Sequence, residues 1–232
     1  KNQGIPLSKY LNNNALDSIS FSCLCNYGNI NKGQPIKIKL GIKDLDSELI
    51  DFYKFSKSYD KSQKYRIDAN RAFSVKETLY LFDKLNGYNI EYIEEPLKRI
   101  NFNNLEKIKK NPNIKIAIDE TMFECNWKAF INTGFIDFVV LKAPLWGGVN
   151  DIFELVKFLN NNCIKIIFSS SLQTKIGNLA SIHIAAAMEC SGAHGLNIYN
   201  FFNYDEHSMP YMKNDISVCL KRVSGLGVMP DD

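Results

Sequence analysis

The chain has 232 residues and a formal net charge of +3, with 45% apolar and 23% charged residues. That length suits one domain with a sizeable core, and a single α/β barrel of roughly 250 residues nearly fits it. Lysines interleaved with acids argue against nucleic acid as a partner, and no apolar run approaches the roughly 18 residues of a membrane span. Nothing at the start reads as a signal peptide. The six cysteines (Cys23, Cys25, Cys125, Cys163, Cys190, Cys219) form no zinc set, so a cytoplasmic protein with reduced, mostly buried thiols is expected.

Residues 1–17 are polar, with a short helical stretch at Pro6 to Asn12. From Ser18 onward, short apolar strands alternate with longer amphipathic segments. Strands are expected at 19–25, 36–40, 64–68, 90–94, 114–119, 137–142, 164–169 and 195–199. Helices are expected at 46–57, 75–86, 103–110, 124–132, 149–161 and 176–189. The second opens on Ser74 with Glu77 three residues on, a capping-box pattern. Eight strands with helical crossovers predict a parallel sheet closed into a (β/α)8-type TIM barrel. An open doubly wound sheet is the competitor, but its Gly-rich turn after the first strand is missing. Residues 201–232 are mixed and are expected to pack back on the barrel or on a cap.

The chemistry lies at the strand ends. Lys37 and Lys39 alternate with Ile36, Ile38 and Leu40, so both lysines leave one face of the second strand. The next strands end in Asp68, Glu94, Asp119 and Lys142, at intervals of 29, 26, 25 and 23 residues. In a barrel the C-terminal strand ends converge on the active-site mouth. Three carboxylates brought together there repel one another unless a cation holds them, and an all-oxygen ligand set suits Mg²⁺. Taken singly, each carboxylate could instead be a helix cap or a loop ion pair. A lysine beside a divalent cation and a second ammonium has its neutral form favoured and becomes a usable base. His183, inside an apolar helix, reads as packing; His194 precedes the last strand, within reach of the mouth.

Lys37-x-Lys39, Asp68-Ala69-Asn70, Glu94-Glu95-Pro96, Asp119-Glu120 and Lys142 followed by Gly147-Gly148 resemble the enolase superfamily, and within it the muconate-lactonizing-enzyme subgroup. The mandelate-racemase subgroup would show a histidine where this chain has Ser169-Ser170-Ser171. The resemblance implies a modified (β/α)7β barrel over residues 18–200, with residues 1–17 a remnant of an N-terminal capping domain that is otherwise absent from this chain. It implies Mg²⁺ bound by Asp68, Glu94 and Asp119, with Lys39 and Lys142 as opposed acid/base or cationic groups and Lys37 assisting. Asn70, on the same strand face as Asp68, would support the site, and Ser169, Ser170, Gly195, Leu196 and Asn197 would line the pocket of a small-molecule carboxylate substrate. The serine run and Gly195-Leu196 are most similar to the o-succinylbenzoate-forming members, which implies a dehydration of menaquinone biosynthesis: abstraction of a proton α to a carboxylate, then loss of water. Gln173 stands near where those relatives often carry an acid. The alternatives are racemisation of N-succinylamino acids and epimerisation of dipeptides. Dipeptide epimerases usually carry an Asp-x-Asp pair after the eighth strand, and Leu196-Asn197-Ile198-Tyr199 has none. A barrel without its cap could also be inactive.

Overall fold

The computed structural model describes residues 4–25, 30, 33–111, 113, 115–124, 127–198, 212–214 and 216–228. Cys125, Tyr199 and His207 lie outside the described residues. The elements in chain order are α1 (Leu7–Leu11), β1 (Ser18–Phe21), β2 (Cys23–Leu24), β3 (Ile36–Lys39), α2 (Leu45–Ser56), β4 (Lys64–Asp68), α3 (Val75–Lys84), β5 (Asn89–Glu94), α4 (Phe102–Lys109), β6 (Ile116–Ile118), α5 (Trp127–Asn132), β7 (Phe138–Leu141), α6 (Val149–Asn161), β8 (Lys165–Phe168), α7 (Lys175–Ala187), β9 (Ala193–His194), β10 (Met212–Asn214) and β11 (Ser217–Cys219). Short 3₁₀ turns at Glu120–Phe123 and Ala143–Leu145 follow β6 and β7. The alternation of strand and helix expected from the sequence is present, with the described strands falling into a seven-stranded sheet of order β2-β3-β4-β5-β6-β7-β8 and a separate four-stranded one. None of the helices is long and apolar enough to cross a membrane, among the described residues.

The chain divides into two compact units, and the division passes through β7 and β8. One unit holds Pro35–Val139 and Leu159–Lys165. Its strands β3 to β7 pair in chain order, all parallel. Parallel strands under helices are covered on both faces and lose the polar alternation of a half-exposed strand. Accordingly, every residue of β6 is buried, and so are the last four of β4. Strand β3 departs from this, with Lys37 half-buried and Lys39 exposed while Ile36, Ile38 and Leu40 beside them are buried. Helix α3 starts where the sequence places it. Ser74 Oγ accepts from the Glu77 amide, and the Glu77 carboxylate accepts from the Ser74 amide at 2.8 Å. Leu81, Leu105 and Ile108 carry the helix faces into the core. Each such side chain stabilises the fold by roughly 1.5–3 kcal/mol through burial.

The other unit holds Lys1–Gln34, Val140–Phe158 and Ile166–Asp232. The expected first strand, 19–25, is interrupted after Phe21. Its first part, β1, lies between antiparallel β11 and parallel β9, in a four-stranded sheet of order β10-β11-β1-β9. Strands β10 and β11 escaped the sequence reading because each has only three residues, too few to show a period. Helix α7 is mostly buried, with Leu179, Ile182, Ala185 and Ala186 inaccessible, while Asn178, Ser181 and His183 are polar residues buried along with them. The thiols depart from expectation. Of the five described cysteines only Cys23 and Cys190 are buried, whereas Cys163 and Cys219 are exposed.

Two buried histidines have structural roles. His194 accepts from the Phe168 amide at Nδ1 (3.0 Å), and its Nε2 meets the Cys190 carbonyl at 2.9 Å, which fixes one neutral tautomer. It is a core residue, not a group at the mouth. His183 accepts from the Ser8 amide (3.2 Å), tying α7 to α1, and burial pulls its pKa down to about 4. A depressed folded-state value means that His183 stays neutral in the fold while the unfolded chain takes up a proton below about pH 6.5. Its contribution is therefore complete above pH 6.5 and is lost as the pH falls towards 4, at up to about 1.4 kcal/mol per pH unit. The stability difference between wild type and His183→Gln, from urea unfolding, should accordingly change across pH 6.5 to 4. A difference constant over that window would contradict the assignment.

Candidate active site at the strand ends

Strands β3, β4 and β5 pair so that Lys39 stands opposite Asp68, and Asp68 opposite Glu94. Residues level with one another in parallel strands present their side chains to the same face. One row of the sheet thus reads lysine, aspartate, glutamate. Ala117 of β6 is opposite Glu94, and Asp119 follows two residues later. Asp68, Glu94 and Asp119 are all buried, at 6%, 2% and 4% exposure. Buried carboxylates at strand ends must be paired or protonated.

Lys37 supplies the pairing for two of them. Its Nζ lies 3.0 Å from Asp68 Oδ2 and 2.8 Å from Glu94 Oε1. Burial alone would lower the lysine pKa, but the charges of Glu94 and Asp68 outweigh it and hold the ammonium well above its ordinary range. Lys37 is thereby held as a cation that neutralises charge between the two acids. Glu94 is pushed up to about 8, first by burial and then by the nearby charge of Asp68, with Lys37 opposing. One row deeper, Arg66 is level with Lys37, its guanidinium 5.2 Å from the centre of the Tyr92 ring, and Tyr92 packs on Phe138 with centroids 4.8 Å apart. This aromatic floor keeps water from beneath the row.

The residues fit a hard divalent cation in donor chemistry: three carboxylates on successive strand ends, with Glu94 Oε2 buried and without a hydrogen-bond partner. Among the described residues, however, no three His, Cys, Asp or Glu side chains are drawn together into a metal-holding group. Mutual repulsion keeps like charges apart, and Lys37 already balances two of the three. Asp119 sits at the start of the 3₁₀ turn but makes no side-chain capping bond, so capping does not account for it.

The loops beyond these strands are held by carboxylates that the sequence reading passed over. Glu95, 1% exposed, takes the Asp119 amide (2.9 Å) and the Thr121 amide (2.8 Å) on Oε1. Its Oε2 takes the Thr121 hydroxyl (2.8 Å) and Arg71 Nε (3.1 Å). Glu48 of α2 does the same for the loop after β3, accepting the amides of Gly41, Ile42 and Lys43 at 2.7, 2.7 and 3.0 Å. Gly41 has φ of +92°, and a Cβ there would fall 2.3 Å from that of Ala72, so only glycine fits. Asn70, Arg71 and Glu95 also have positive φ, at 46°, 57° and 43°. Asn70 is thereby corrected: it is exposed and lies past the end of β4, not on its strand face. It meets Asp68 through its backbone N–H, 3.3 Å from Oδ1.

The remaining expected residues belong to the other unit. Lys142 is half-buried where β7 enters its 3₁₀ turn. The Ser169 amide donates to Leu141 O (2.9 Å), and Ser170 N to Gly195 O (3.1 Å), so these three strand ends are neighbours. Ser169, Ser170, Gly195 and Asn197 are half-buried, whereas the Leu196 side chain is inaccessible. Gln173 is a structural link. Its Oε1 accepts from Ser170 Oγ (2.9 Å) and Ser171 N (2.8 Å), and its Nε2 donates to Ser181 Oγ (2.9 Å).

Removing the Lys37 ammonium should expose the cost of the buried acids. In EDTA, Lys37→Met should lose about 3 kcal/mol of urea-derived stability at pH 8. It should lose less at pH 5, where a protonated Glu94 no longer needs a counter-ion. An equal loss at both values would mean that the ion pairs do not hold the row.

Comparison with known proteins follows the same lines. The family described as enolase C-terminal domain-like matches residues 33–232. An L-Ala-D/L-Glu epimerase of Francisella tularensis subsp. novicida is 26% identical over 155 residues, 66% of this chain and 43% of that protein. An L-amino acid-D/L-Glu epimerase of Francisella philomiragia is 24% identical over 242 residues, 98% of this chain and 67% of its own length. Among solved structures, muconate cycloisomerase from Pseudomonas fluorescens superposes with a TM-score of 0.82 at 22% identity, covering 97% of this chain and 67% of that one. A dipeptide epimerase from Enterococcus faecalis, complexed with Mg and the dipeptide L-Leu-L-Tyr, gives 0.80 at 20% identity, with the same coverage. The chain thus spans 43% to 67% of the length of these proteins, and it belongs to the enolase C-terminal domain-like family.

Proposed function

We propose that the chain carries the barrel part of a Mg²⁺-dependent epimerase, one that removes the proton α to a carboxylate and returns it on the opposite face. The observation that carries this is the Lys39–Asp68–Glu94 row, with Lys37 paired to its two acids. Abstraction of an α-proton leaves an enediolate whose two oxygens are negative, and it is feasible only where positive charge is already in place. Bound at Asp68, Glu94 and Asp119, Mg²⁺ would supply that charge as a Lewis acid. Lys37 adds a fixed ammonium beside the acids. Lys39, further out on the same face and exposed, is assigned as one acid/base, and Lys142 as the other.

The dehydration favoured by the sequence needs one base and a leaving hydroxyl; epimerisation needs two acid/bases. The relatives named above support epimerisation, and the two reactions share their first step. The substrate is a small amino-acid derivative with a free carboxylate. The stretch Gly195 to Ile198 bears no acidic pair to hold an ammonium. That favours a substrate whose α-amino nitrogen is acylated by a group without an amino end, such as acetyl or succinyl, over a dipeptide with a free amino end.

The test is exchange of the α-proton in D₂O with Mg²⁺, comparing L-Ala-L-Glu, its N-acetyl form and N-succinylamino acids. The wild-type full chain should exchange and epimerise at least one of these, the acylated ones faster. Lys39→Ala should suppress exchange from one antipode and Lys142→Ala from the other, each by about 10²-fold or more. Wild-type exchange by both variants, or water elimination without epimerisation on the dehydration substrate, would overturn the reading.

A further inference from the structure

We infer that Glu95, backed by Arg71, is the positioning residue that sets the Asp119 carboxylate for the cation, an inference that rests on the Mg²⁺ reading above. The case begins with an asymmetry among the three acids. Asp68 and Glu94 are each held by Lys37 and by hydrogen-bonded strand backbone. Asp119 lies beyond the last paired residue of β6, where the ladder no longer fixes the chain. Its conformation, φ −122° and ψ −85°, belongs to neither strand nor helix. Glu95 Oε1 grips the amides on either side of Glu120, at Asp119 and Thr121.

Glu95 can do this only because it leaves the strand alternation. An extended residue after Glu94 would point to the opposite face. At φ 43° the chain turns, and adjacent carboxylates serve different partners, Glu94 meeting Lys37 and Glu95 the next strand's loop. Its backbone continues the link, with the Glu95 amide donating to Ala117 O (3.0 Å) and its carbonyl accepting from Arg71 N (2.7 Å). Arg71 closes the arrangement. Its Nε meets Glu95 Oε2, its Nη2 the Thr121 hydroxyl at 2.8 Å, and its Nη1 Glu124 at 2.7 Å. The ends of β4, β5 and β6 are therefore joined through one buried carboxylate with four donors. A backbone left-handed at Asn70, Arg71 and Glu95 is costly unless its surroundings enforce it, and such strain gathers where geometry matters for function.

Glu48 provides the control. It is equally a buried carboxylate gripping successive amides of a strand-end loop, but that loop follows Lys39 and carries none of the three acids. Glu95→Gln keeps the volume but replaces an acceptor oxygen with a donor NH₂, which must face either Arg71 or the two amides. Mn²⁺ binding to the full chain is followed by the EPR signal of the free ion, with Mg²⁺ competition, and thermal unfolding is measured alongside. Glu95→Gln should weaken Mn²⁺ binding about 10–100-fold, as loss of a group orienting a metal ligand does. Glu48→Gln should lower thermal stability comparably and bind Mn²⁺ as wild type does. Should Glu95→Gln not fold, Thr121→Val removes only hydroxyl bonds and should weaken binding in the same direction. Wild-type affinity in whichever variant folds overturns this inference while the Mg²⁺ reading stands. Equal losses in the Glu95 and Glu48 variants also overturn it, and a wild-type chain that binds no Mn²⁺ overturns both.

Discussion

The pairing of Lys37 with Asp68 and Glu94 is the interaction on which the rest of the arrangement depends. Parallel strands inside a barrel have no solvated face, so an acid at a strand end is desolvated by the fold itself. Three consecutive strands deliver such acids, and burying a charge without a partner is costly. Lys37 can reach two of them because the register sets Lys39, Asp68 and Glu94 level, one step further along than Lys37. The same constraint explains Glu95 and Glu48. Each is buried and each is saturated by donors, backbone amides above all. Charge that would oppose folding becomes a means of fixing loops in place.

This gives the mouth two layers with different tasks. The strands place Lys37, Lys39, Asp68 and Glu94 by register, which is rigid and tolerates little adjustment. The loops place Asp119 by hydrogen bonds to a carboxylate, which is more local and easier to disturb. Beneath both, Arg66 on Tyr92 and Tyr92 on Phe138 form a floor that excludes water and strengthens every electrostatic contact above it.

Most of the framework was legible in the sequence. Period-two apolar runs placed most of the strands, though at the expected eighth, 195–199, the strand is Ala193–His194 and residues 196–198 are not strand; helical spacing placed the helices, and Ser74 with Glu77 placed a helix start to the residue. The charged residues closing successive strands marked Lys39, Asp68 and Glu94, which the register sets level with one another. The failures have a common physical origin. Glu95, Arg71 and Asn70 sit where the backbone turns left-handed, and an alternation rule cannot say where a side chain points once alternation ends. Glu48 lies on a helix with an ordinary charged face, and nothing local marks it as reaching back to the amides of residues 41–43. His194 looked available because of its position before a strand, but two backbone groups claim its ring. The substrate was the least legible feature. Dehydration and epimerisation share base, cation and enediolate, and the distinction lies in loops whose neutral residues carry little chemical signature.

The proposed cation site is one row formed by consecutive strand ends. Diffraction from crystals of the full chain soaked in Mn²⁺, recorded at the manganese absorption edge, tests it most directly. One anomalous peak should lie within bonding distance of carboxylate oxygens from Asp68, Glu94 and Asp119, with the Glu95 bonds to the Asp119 and Thr121 amides intact. A peak elsewhere, a peak touching only one of the three acids, or no peak at saturating Mn²⁺ would contradict it.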